Sequence, residues 1–84
     1  MHKAHRNTLK AIFSEPVSGS IKWRDIEALL VALGADVSEG SGSRVRFMLS
    51  GSSLLIHRPH PSPDTKKYVV RTVREFLTNS GIKP

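Results

Sequence analysis

The chain has 84 residues, no cysteine and a formal net charge of +6, with 38% hydrophobic and 24% charged residues. That is room for one domain with one core, and the composition suits a globular chain rather than a disordered one. Without cysteine there is no disulfide framework, thiolate metal site or cysteine nucleophile.

Met1-His2-Lys3-Ala4-His5-Arg6 is polar, and no apolar run follows that could serve as a signal peptide or span a bilayer. A soluble cytoplasmic protein is therefore expected. His5 to Ser14 predicts a short helix, with Leu9, Ile12 and Phe13 on one face. Glu15-Pro16 ends it, because a residue before proline disfavours helix, and Val17 to Ser20 form a loop. No linker divides the chain, so residues 1–84 are read as a single domain that opens with this helix and loop.

Trp23 to Leu33 is the clearest element. Trp23, Ile26, Leu29, Leu30 and Leu33 form an apolar stripe at helical spacing, Asp25 and Glu27 lie near the positive end of the helix dipole, and Gly34 suits the turn out. Trp23 continues the stripe, so packing outweighs base stacking as its role.

The period then changes from helical to two. Ala35 and Val37 alternate with Asp36 and Ser38 as a first strand. From Ser43 to Leu49, Val45, Phe47 and Leu49 take one face and Arg44, Arg46 and Met48 the other. Ser50-Gly51-Ser52 reads as a hairpin turn, and Ser53 to Arg58 as a third strand with Leu54 and Ile56 inward. Pro59, Pro61 and Pro63 fix φ and remove donors, which predicts a rigid extended segment. Asp64 or Thr65 then caps a final helix whose apolar face is Val69, Val70, Val73, Phe76 and Leu77, ended by Gly81. The fold class expected is α+β, a small two-layer domain with helices on a three-stranded antiparallel sheet.

A sequence pI near 10.4 biases the chain toward polyanions. Arg44 and Arg46 share one sheet face, Arg58 follows the third strand, and Lys66 and Lys67 open the last helix, where free N–H groups favour a phosphate. These five are the candidate nucleic-acid contacts; the plain alternative is a solvated face. His57 and His60 stand three apart among prolines. No third ligand accompanies them, so no metal and no cofactor is expected. Cleavage of RNA needs a base for the 2′-hydroxyl and an acid for the leaving 5′-oxygen. Imidazoles serve as either near neutral pH, while a guanidinium steadies charge on the phosphorane. His57 or His60 with Arg44 or Arg58 would suffice; surface histidines beside a proline turn are the alternative.

Trp23-Arg24-Asp25-Ile26-Glu27-Ala28-Leu29-Leu30 with Leu33-Gly34-Ala35 resembles the first helix and turn of the HicA toxin family. Gly42-Ser43-Arg44-Val45-Arg46-Phe47 resembles its glycine-serine-histidine strand, and His60-Pro61 stands at a family histidine after the third strand. Lys66 to Ile82 resembles its final helix. The resemblance runs from Trp23 to Pro84. It implies a fold like the double-stranded-RNA-binding domain and metal-independent cleavage of messenger RNA, blocked by a HicB-type antitoxin that covers the active face. Arg44 departs from the pattern, because the family carries its catalytic histidine there and arginine stays protonated at neutral pH. Three readings stand open at this point: catalysis by His57 or His60 with Arg44 on the phosphate, an RNA-binding module without nuclease activity, or an inactivating substitution at position 44.

Overall fold

The computed structural model describes residues 1–84 in the order α1 (Lys3–Ile12), α2 (Trp23–Ala32), β1 (Asp36–Glu39), β2 (Arg44–Leu49), β3 (Ser52–His57) and α3 (Lys67–Asn79). The strands form an antiparallel meander in the order β1-β2-β3. Helices and sheet make the small α+β domain expected, consistent with the double-stranded-RNA-binding-domain-like fold. No helix is long and apolar enough to cross a membrane.

Two periodicities place the core. Trp23, Ile26, Leu29 and Leu30 of α2 and Val69, Val70, Val73, Phe76 and Leu77 of α3 are buried at helical spacing. Val45 and Phe47 of β2 meet Leu54 and Ile56 of β3 at a spacing of two. Trp23 packs edge-on against Phe47, with ring centroids 6.0 Å apart. Leu9 and Ile12 of α1 join the same cluster. Arg74 of α3 holds α1 in place by donating to the carbonyls of Ile12 and Ser14 and pairing with Glu15.

The turns follow from backbone conformation. Gly34 leaves α2 at φ +95°, where a side chain would be strained. Ser50 and Gly51, at φ +50° and +80°, are the central pair of a two-residue hairpin between paired Leu49 and Ser52. Two positive φ values are what the right-handed twist of the flanking strands favours.

The structure corrects several local expectations: α1 stops at Ile12 rather than Ser14, β2 starts at Arg44 rather than Ser43, and four further differences have visible causes. Strand β1 begins and ends one residue later than the alternation suggests, and all four of its residues are exposed. It is an edge strand, as β3 is, but α3 packs over β3 and leaves β1 uncovered. Helix α1 begins at Lys3 rather than His5, because His2 Nδ1 accepts from the Ala4 amide and caps it. Strand β3 starts at Ser52, whose pairing with Leu49 draws it out of the turn, and ends before Arg58. Neither Asp64 nor Thr65 caps α3. The cap position is Lys66, with no side-chain cap. The Asp64 carboxylate is taken by Lys22 Nζ at 2.6 Å, and Thr65 is drawn into the interior with its amide donating to the Ile21 carbonyl at 2.8 Å. The Trp23 amide in turn donates to the Pro63 carbonyl. This short antiparallel bridge, Lys22 opposite Asp64, holds the starts of α2 and α3 side by side.

Candidate nucleic-acid site

The meander sets the outer sheet face by register. Arg44 lies opposite His57, Arg46 opposite Leu55 and Met48 opposite Ser53. Cross-strand partners share a face, and the alternate residues Val45, Phe47, Leu54 and Ile56 are buried, so these six stand on the side away from the core. Arg44 and Arg46 form no ion pair with the protein. They line a shallow groove with Ser38, Glu39, Gly40 and Leu55.

At the His57 end of β3 the chain passes through the proline segment before α3, and a cleft of ≈ 520 Å³ opens there. Ser43, His57, His60, Lys66 and Tyr68 lie along it. Ser43 Oγ stands 3.5 Å from His57 Nδ1. Both histidines are exposed, and the first turn of α3 presents backbone N–H groups with no partner inside the helix. Thr65 also lines the cleft; its buried hydroxyl has no hydrogen-bond partner.

The site residues expected from sequence therefore fall into two neighbouring places. His57, His60, Arg58 and Lys66 border the cleft, while Arg44 and Arg46 occupy the outer groove. The cross-strand pairing of Arg44 with His57 joins the two. Lys67 is exposed outside the cleft, its stem running past Gly19.

Arg58 is engaged within the protein. Its Nε and Nη2 donate to the two carboxylate oxygens of Glu27 on α2 at 3.0 and 2.9 Å. Nη1 and Nη2 donate to those of Glu39 on β1 at 2.6 and 2.9 Å. Glu27 Oε1 also accepts from Trp23 Nε1 at 2.8 Å. The hydrogen bonds from Arg58 hold both carboxyls below their ordinary value, against the opposing effect of burial at Glu27. The two carboxylates, Glu39 first, push the guanidinium further above its own ordinary value. Glu27 and Glu39 were not singled out by sequence as partners of Arg58. Charge patterning relates residues within one element, and these come from three. Tyr68 carried no signal beyond being an exposed-phase residue on the last helix.

No three histidine or carboxylate side chains converge closely enough to chelate a cation. A family model described as the HicA toxin of bacterial toxin–antitoxin matches residues 23–82, from the start of α2 to just beyond α3. No curated protein and no solved structure matches the chain.

Proposed function

This chain belongs to the HicA toxin family of bacterial toxin–antitoxin systems, and on that footing we propose that it is a cytoplasmic endoribonuclease that cleaves messenger RNA and is neutralised by a HicB-type antitoxin. The observation that carries the reading is the gathering of His57, His60 and Lys66 along one cleft, with Arg44 across the strand from His57. One imidazole removes the proton from a ribose 2′-hydroxyl, whose oxygen attacks phosphorus. The P–O5′ bond breaks as the other imidazole gives a proton to the leaving oxygen. Arg44 and Lys66 balance the charge that gathers on the phosphoryl oxygens. Arg46 and Lys67 lengthen the track for the phosphate backbone, and Arg58 keeps the histidine-bearing segment in place. The products are a 2′,3′-cyclic phosphate and a 5′-hydroxyl. The family's chemistry needs no metal, so EDTA leaves the rate unchanged.

Induced expression tests the proposal: an active toxin arrests growth and depletes messages, and a co-expressed HicB-type antitoxin reverses both. Purified His60→Ala is expected to lose cleavage by about 10²–10⁴ while RNA binding changes little. Unchanged cleavage in both His60→Ala and His57→Ala would refute this assignment.

A second reading rests on Arg44, which stands where the family carries its catalytic histidine. On that reading the chain binds RNA without cutting it, and Arg44→His creates cleavage that the parent lacks.

A further inference from the structure

Five residues of this chain are aromatic by the Phe, Trp and Tyr count. Trp23, Phe47 and Phe76 are buried, and Phe13 packs against the core beneath Arg74. Tyr68 alone is turned out, 64% exposed, on the first turn of α3. Its hydroxyl makes no hydrogen bond to the protein, and it borders the cleft that holds His57, His60 and Lys66. We infer that Tyr68 is the stacking platform for an unpaired base, which makes single-stranded rather than duplex RNA the substrate of this cleft; the inference rests on the RNA reading proposed above.

The chemistry follows from the neighbours. A ring beside Lys66 and the exposed start of α3 offers a base its face while the cations take the adjoining phosphates. This pairing of stacking with charge is what sequence-tolerant binding of single strands requires. A paired base in a duplex is already stacked above and below, so it has no free face for the phenol ring. A single strand also lets its 2′-oxygen swing into line with the phosphorus, as near-attack geometry demands. Tyr68 is a specificity-determining residue here, since it orders the strand and takes no part in proton transfer.

The test uses the full chain and one short RNA whose riboses are 2′-O-methylated to block cleavage, presented single-stranded or annealed to its complement. The parent is expected to prefer the single strand. Tyr68→Ala weakens single-strand binding by about 10- to 100-fold and leaves duplex binding within about two-fold, while Tyr68→Phe retains the parent's preference. In Tyr68→Trp, titration with the single strand quenches the new indole and titration with the duplex does not. Unchanged single-strand binding in Tyr68→Ala, or equal losses for both forms, overturns the inference and leaves the RNA reading standing. A parent that binds neither form overturns both.

Discussion

The guanidinium of Arg58 reaches both oxygens of Glu27 and both of Glu39, and so ties α2, β1 and the end of β3 at one point. Because the two carboxyls are held below their ordinary value only in the folded chain, they stabilise it at pH values above the ordinary carboxylate range. That contribution is lost as pH falls through their depressed values. Glu27→Gln is expected to cost about 1 kcal/mol near neutrality, a modest figure because both partners touch solvent. Thermal melts should show the gap between parent and variant closing once the buffer is acidified below the ordinary glutamate value. A gap that stays constant from pH 7 down to about 3 would show that lost charge is not the cause. At this scale the sequence is least informative. Arg58 reads as one more cation after a strand, since nothing local marks a carboxylate 31 residues away as its partner.

Elements are far more legible, and their errors have physical causes. The stripes of α2 and α3 and the alternation of β2 and β3 were readable because each packs one face against a covered core. Strand β1 breaks the pattern: α3 covers β3 and leaves β1 in solvent, so its alternation has little burial to report. The cap of α3 was misplaced because Asp64, an acceptor of the right type, is held by Lys22 instead. Helix α1 depends on α3 through Arg74 as well as through Leu9 and Ile12. Arg74→Ala should therefore cost about 1–2 kcal/mol and loosen one element selectively. Hydrogen exchange would find the amides of α1 losing protection while those of β2 and β3 keep theirs; equal loss throughout would mean that α1 is not a separate unit.

For the molecule as a whole, charge and topology decide behaviour. A net charge of +6 favours polyanions, but Arg58 is already paired, leaving Arg44, Arg46, Lys66 and Lys67 as the candidate phosphate contacts. Four contacts to a single strand predict a log–log slope of affinity against salt of about −3. A slope near zero, from titrations at several salt concentrations, would remove the polyanion from the account. Overall charge and fold class were both legible in the composition and patterning. The cleft was not, because it is assembled where the proline segment meets the start of α3, and the strands and helices around it close only in three dimensions. The bridge that seats α3 beside α2 joins residues 42 apart in sequence, whereas the meander pairs strands that are neighbours in the chain. Closing so long a loop is paid for in entropy before its contacts give any return, so the hairpins should form early and the bridge late. Ile21→Ala, beside that bridge, should therefore hasten unfolding and leave the refolding rate almost untouched, as stopped-flow chevrons would reveal. The seam between the two helix starts is then a clock: it governs how long a folded molecule endures, and has little say in how soon one is made.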